Sequence, residues 1–256
     1  MMKIVTFNLR CVLEGDGINS FWHRSGSIIN KINAEKPDII CFQEGKDQSI
    51  SFLMKNLADY QIFFNQRNAD YSGEGLATAI KKEALLLEKL DFFWLSDTPN
   101  VPGSRYPEQS KYPRICQCLL VKRITDNKLF RLYNIHLDHI SEQVKILGMN
   151  AVMKRATADY QENDLPFFIF GDFNATPDSD TIAFCNSYYN PEMKDLTECI
   201  VTSYHGFGTR EKQCKIDYIY AEKNTASGKY NTSMWEDSSD GIYLSDHYPI
   251  CVEINV

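Results

Sequence analysis

The chain has 256 residues, 43% of them hydrophobic and 24% charged, with a formal net charge of −7 at neutral pH. That composition supplies ample core material and excludes a disordered chain. The acidic balance leaves no broad electropositive footprint for long nucleic acid, and no apolar run approaches membrane-spanning length.

Met1 to Lys3 leads directly into an apolar run, Ile4-Val5-Thr6-Phe7-Asn8, with no stretch of signal-peptide character before it, so a cytoplasmic protein is expected. Phe21, Ser25, Ile28, Ile29 and Ile32 fall at helical intervals and predict a helix over 21–34. Ile39-Ile40-Cys41-Phe42 reads as a buried strand that delivers Gln43 and Glu44 at its end. Further strands are predicted over 60–65, 75–81, 85–95 and 115–122. Between the last two, Ser96 to Arg114 carries Pro99, Pro102, Pro107 and Pro113 with little apolar periodicity, a pattern of lids, binding loops or disorder. Its cations Arg105, Lys111 and Arg114 are candidates for phosphate contact, and Tyr106 and Tyr112 for stacking. Arg114 borders the strand that begins at Ile115 and is expected to face the site. A solvated loop is the competing account of the other cations.

Phe130 to Asp138 is a strand that ends in Asn134, His136 and Asp138, and Ser141 with Val144 and Leu147 marks the start of a helix over 140–160. Asp138 is an alternative cap for that helix. His136 and His139 also admit a zinc site, for which no third histidine or cysteine stands at metal spacing. Leu165 to Phe170 shows no polar alternation and suits a strand covered on both faces. Gly171-Asp172-Phe173-Asn174 follows it. Asp172 and Asn174 share a face if strand geometry persists that far; an Asx-rich turn, with Pro177, Asp178 and Ser179 opening a helix, is the alternative. Lys215 to Tyr220 carries Asp217 ahead of its apolar residues, as an antiparallel strand starting at the same edge would. Ser245-Asp246-His247 precedes a last strand over 249–256. No linker, repeat or low-complexity tract divides the chain, and one domain over 1–256 is expected. The eight cysteines are scattered singly and are expected to be reduced thiols.

Strands packed side by side bring their ends to one edge, where open α/β architectures build sites. Thr6 to Asn8, Gln43-Glu44, the NxHLD form at Asn134 to Asp138, Gly171 to Asn174, Ile216 to Ile219 and Ser245 to His247 resemble, in this order, the motifs of the endonuclease/exonuclease/phosphatase superfamily. The segment Phe93 to Ser104, together with Asn8-Leu9-Arg10, the Asp16 to Arg24 region and His205-Gly206-Phe207, resembles a small bacterial subgroup of it. The resemblance implies an α/β fold, a four-layer sandwich of two mixed, largely antiparallel β-sheets flanked by helices. It implies phosphate-ester hydrolysis with Mg²⁺ or Mn²⁺, in which Asn8, Glu44 and Asp246 hold the metal. His247 matches the general base or phosphate-contacting imidazole, with Asp217 orienting it. Asp172 and Asn174 match the residues that hold the attacking water and a phosphate oxygen, and His136 the histidine at the phosphate or leaving group. Whether Asp172 or His247 takes the proton stays open. Arg10, Arg114 and His205 are expected to shape the substrate pocket.

A hard divalent ion suits this chemistry, because a phosphate ester is protected by its own charge and needs oxygen-bound cation, nucleophilic water and a stabilised leaving oxygen. The net charge favours a small or terminal phosphoester, without a membrane or long nucleic-acid partner. A DNA- or RNA-cleaving nuclease is the alternative, and a catalytically silent binding scaffold a second one; metal-dependent turnover separates the enzyme from the scaffold.

Overall fold

A computed structural model describes residues 1–256. In chain order the first elements are β1 (Met2–Asn8), α1 (Phe21–Glu35), β2 (Ile39–Gly45), α2 (Asp47–Asn56), β3 (Tyr60–Gln66), β4 (Gly75–Lys81) and β5 (Leu85–Trp94). After the Pro-rich loop come β6 (Ile115–Arg123), β7 (Leu129–His136), α3 (Glu142–Glu162), β8 (Phe167–Asp172), α4 (Asp180–Ser187), β9 (Met193–Asp195) and β10 (Asp217–Glu222). The chain closes with β11 (Tyr230–Met234), the short ribbon β12 (Ser238–Ser239) and β13 (Ile242–Tyr243), and β14 (Ile250–Ile254).

Two six-stranded sheets result, ordered β11-β14-β1-β2-β4-β3 and β5-β6-β7-β8-β10-β9. Each contains one parallel pair, β1 with β2 and β7 with β8, and is otherwise antiparallel. Period-two alternation explains the layering. Ile4, Ile39 and Cys41 of the first sheet meet Phe130, Leu132, Phe168 and Phe170 of the second in a shared inner core. Val5, Phe7, Ile40 and Phe42 turn outward against Phe21, Ile28 and Ile32 of α1 and Ile50 and Leu53 of α2. Tyr133, Ile135, Phe167 and Ile169 turn outward against α3 and α4. The expected four-layer α/β sandwich is therefore the observed fold, and the uninterrupted apolar run before Gly171 is explained by packing on both faces.

The predicted helices over 21–34 and 140–160 appear as α1 and α3, with Ser141 Oγ accepting from the Val144 N–H at 3.3 Å. Asp138 is not the cap. Its carboxylate accepts the Ile140 and Ser141 N–H groups at 3.2 Å each and the Ser110 N–H at 3.2 Å, tying the Pro-rich loop to the turn before α3. Tyr106, Gln109, Ser110 and Arg114 are buried in that loop, whereas its other cations, Arg105 and Lys111, are exposed, as the solvated-loop account has it. All eight cysteines are free thiols. No helix is long and apolar enough to cross a membrane.

Between the sheets, just below the strand ends, lies a polar layer. Gln43 Nε2 donates to Asn134 Oδ1 at 2.9 Å, Asn134 Nδ2 donates to the Phe42 and Ala77 carbonyls, and Thr78 Oγ1 donates to Gln117 Oε1 at 2.6 Å. All four side chains are fully buried. Asn134→Ala strands several of these groups, and each unsatisfied buried group costs about 1–3 kcal/mol, so a loss of roughly 2–4 kcal/mol in unfolding free energy is expected. Urea denaturation measures it; a loss below about 1 kcal/mol would show the layer to be dispensable.

Candidate active site

Inner-facing positions continue the core alternation to the sheet edge, so Asn8 of β1, His136 of β7 and Asp172 of β8 follow Ile4, Leu132 and Phe170 on the same face. Register then aligns them: His136 pairs with Asp172 across the parallel β7–β8 ladder, and Asp217, at the start of antiparallel β10, pairs with Asp172 from the other side. Gly171 permits this approach, since a Cβ there would lie 2.0 Å from the Ile135 carbonyl oxygen. Glu44 departs from the alternation. Strand parity would turn it outward with Phe42, but the β2–β4 register shifts between Phe42 and Gly45, and Glu44 adopts φ 58°. This bulge re-aims its carboxylate toward the site. Arg10 and Asn174, with φ 53° and 50°, also hold left-handed backbone here.

Asp172 is the junction of the cluster. Its Oδ1 accepts the Asn174 N–H at 2.8 Å and its Oδ2 accepts Asn8 Nδ2 at 3.0 Å. His136 Nε2 and His247 Nε2 lie 3.5 Å and 3.9 Å from the same Oδ2. His247 Nδ1 donates to Asp217 Oδ2 at 2.7 Å, which fixes the ring with Nε2 toward Asp172, and Ser203 Oγ donates to that same Asp217 oxygen at 2.6 Å. Asn8 Nδ2 also donates to Glu44 Oε1 at 3.1 Å, while Glu44 Oε2 accepts the Cys11 N–H at 3.0 Å.

The electrostatics separate these groups. Burial, reinforced by the nearby Asp217 carboxylate, pushes the Asp172 carboxyl up to about 7. Burial opposes the charging of His247, yet Asp217 overcomes it and holds the imidazole well above its ordinary value. His136 moves the other way, held well below its ordinary value by burial and by the Arg114 charge, so it is neutral. Burial would raise Glu44, but the Cys11 N–H, the His247 charge and the Asn8 amide bring its carboxyl below the usual range.

A family model described as the Endonuclease/Exonuclease/phosphatase family matches residues 5–247. The chain belongs to that family. Its members are phosphoester hydrolases that use divalent metals, so the protein is a hydrolase acting on phosphoric ester bonds. An uncharacterized protein of Acanthamoeba polyphaga mimivirus is 25% identical over 250 residues, covering 90% of each chain. The endonuclease/exonuclease/phosphatase from Bacteroides vulgatus superposes with a TM-score of 0.91 at 22% identity, over 100% of this chain and 98% of the other. The mannosyl-6-phosphatase of Bacteroides thetaiotaomicron superposes with a TM-score of 0.88 at 20% identity, over 100% of both chains.

A family metal fits this donor set. One oxygen or nitrogen each from Glu44, His136 and Asp172 falls within 4.8 Å of the others, and Asp172, Asp217 and His247 form a second such group. Four carboxylates, of Glu44, Asp172, Asp217 and Asp246, crowd a site in which burial also raises Asp246. A hard divalent ion relieves that crowding and prefers these oxygen donors. The expected metal set of Asn8, Glu44 and Asp246 shares only Glu44 with the groups just described. Asn8 turns its amide nitrogen to the carboxylates, because its Oδ1 accepts the Arg10 N–H at 2.9 Å. Asp246 sits 3.6 Å from Arg10 Nη1 and accepts Ser245 Oγ at 3.2 Å.

The remaining expected residues divide. Asp172 and Asn174 do not share a strand face, because β8 stops at Asp172; Asn174 instead donates its N–H to Asp172 and its Nδ2 to the Leu137 carbonyl at 3.1 Å. Arg10 spans Asp16, through two 3.1 Å bonds, and Asp246. Arg114 does turn inward, into a pocket with Glu44 and His136. His205 does not reach open space: its ring is fully buried, stacked 3.9 Å from Tyr248, so it supports the Asp246 segment from behind. His139 lies beside Arg114 at 3.3 Å and joins neither group of potential ligands, which removes the basis for a zinc pair with His136. Arg67, Glu74 and Ser203 were not anticipated. They follow strand residues or turns without any motif around them, and only the folded chain brings them to the site.

Proposed function

We propose that the chain, acting as one domain, hydrolyses a small or terminal phosphate ester by direct attack of water, with Mg²⁺ or Mn²⁺ held by Glu44 and flanked by Asp246 and the Asn8 amide. When bound, the ion would neutralise phosphoryl charge and stabilise the departing oxygen. Asp172 takes the proton of the attacking water. Support comes from its buried place at the junction of the cluster and from its two amide donors, which fix its orientation. His247, charged through Asp217, and neutral His136 flank Asp172 and donate to the phosphoryl oxygens. The observation that carries the reading is this convergence of Asn8, Asn174, His136 and His247 on one carboxylate.

Hydrolysis of chromogenic phosphate esters by the purified protein with Mg²⁺ or Mn²⁺ tests it. Turnover is expected to vanish on chelation and in His247→Ala; a folded protein inactive with every ion would overturn the proposal. Glu44→Gln is expected to weaken Mn²⁺ binding by more than the roughly 10- to 100-fold typical of changes behind the ligands. Calorimetric titration reads this directly, and unaltered affinity would place the ion elsewhere.

A further inference from the structure

Seven buried side-chain polar atoms have no hydrogen-bond partner, and three of them, Arg67 Nε, Arg114 Nε and Arg114 Nη1, belong to two guanidiniums that line one pocket. Arg67 and Arg114 are only 6% and 5% exposed. The pocket is walled by Gly75, Leu76, Pro113 and Ile115 and opens on the site through Glu44 and His136. Arg67 is held in place by Glu74, at 2.8 Å from its Nη2, and by Tyr112, whose ring centre lies 4.7 Å from the guanidinium carbon. Arg114 has no carboxylate partner at all; its one side-chain contact is Nη2 to His139 Nδ1 at 3.3 Å.

Glu74 answers the charge of Arg67, but the Arg114 charge is desolvated beside it with two donors unanswered, which is costly unless an anion meets it. The pocket has room for about one oxygen-sized group and opens onto the site, so what it receives is an oxygen of an anion whose remainder lies outside. A phosphodiester presents two non-bridging oxygens and needs an exit for each ester arm. A phosphomonoester presents a third non-bridging oxygen and a second negative charge.

We infer that Arg114, backed by Arg67, receives the third terminal oxygen of a phosphomonoester dianion, and that the natural substrate is therefore a monoester. This rests on the proposed hydrolase reading and narrows it. In the reaction the water oxygen bonds to phosphorus, the ester P–O bond breaks, and the proton accepted by Asp172 is returned to the departing alkoxide, giving an alcohol and inorganic phosphate. Arginine suits this position because its planar fork is charged at every working pH and matches phosphate geometry.

The test compares p-nitrophenyl phosphate with bis-p-nitrophenyl phosphate under one ion, beside calorimetric titration of the metal-free protein with inorganic phosphate. The wild type is expected to favour the monoester at least 10-fold in kcat/KM and to bind phosphate. Arg114→Met should lower the monoester kcat/KM at least 100-fold, change the diester value less than about 5-fold, and abolish phosphate binding; Arg114→Lys and Arg67→Lys should fall between. A preference for the diester, or an equal loss of both activities, overturns the inference while leaving the hydrolase reading intact. If neither ester is cleaved, the hydrolase reading has failed and phosphate binding by the wild type decides the site: binding lost in the Arg114 variants supports it, and no binding refutes it.

Discussion

Asp172→Asn is expected to lower kcat for phosphoester hydrolysis by about 10²- to 10⁴-fold, the span typical of a positioned general base, with KM little changed. The substitution keeps the size of the side chain and the Asn174 N–H bond to Oδ1. It removes the proton acceptor at the point where Asn8, His136 and His247 converge. Asp217→Asn should act differently. It leaves Asp172 in place but withdraws the carboxylate that holds His247 charged, so the alkaline limb of the pH–rate profile should move to lower pH. Steady-state kinetics across pH distinguishes the two. If Asp172→Asn kept more than about a tenth of wild-type kcat, another group would have to take the proton, and His247 would be next in line.

Removal of the divalent ion is expected to have the second large effect, complete loss of turnover accompanied by a pH-dependent loss of stability. The sign follows from the two raised groups. The folded-state carboxyl of Asp172 lies near 7, above the ordinary carboxylate value, so its contribution is present below about pH 4 and is lost as pH rises toward 7. His247 is likewise raised, so its contribution is present below its ordinary range near 6.5 and is lost as pH climbs through its higher folded value. Both make the metal-free protein less stable in alkali. A bound cation offsets the first effect by favouring ionised Asp172, and at 100 times its Kd any folded-state ligand adds about 2.7 kcal/mol. The rise in Tm on adding Mg²⁺ or Mn²⁺ should therefore be larger at pH 8 than at pH 5.5. Scanning calorimetry at both values, with and without chelator, measures it. Equal gains at the two pH values would mean that the ion does not engage the Asp172 cluster.

Much of the sheet framework was legible in the sequence, because strands buried on both faces need continuous apolar residues and cannot hide them. The predicted strand over 75–81 coincides with β4, and those over 60–65, 85–95 and 115–122 differ from β3, β5 and β6 by a residue at one end. α2 went unseen. Its ten residues bury only Ser49, Ile50 and Leu53, too few to impose a recognisable period. The pieces β9, β12 and β13 are two or three residues long and exist only because a neighbouring strand pairs with them. Gln43 and Asn134 stood in the motifs, yet both turn into the polar layer between the sheets and not into the cluster around Asp172.

The sequence by itself determined the family, the sandwich and the identity of the groups at its edge, since strand ends carrying Asn8, Glu44, His136 and Asp172 are chemically distinctive wherever they lie. Tertiary structure decided their surroundings. Only the bulge at Glu44 shows why that carboxylate faces inward against strand parity. Only the pairing of Asp217 with His247, and the crowding of carboxylates around Asp172, separates a charged imidazole from a carboxyl poised near neutrality. Only packing sets Arg67 beside Arg114, 47 positions apart in the chain, in one pocket with Glu44 and His136. The reason is physical: residue type fixes which proton or charge a group can carry, whereas burial and the charges brought next to it fix when it carries it.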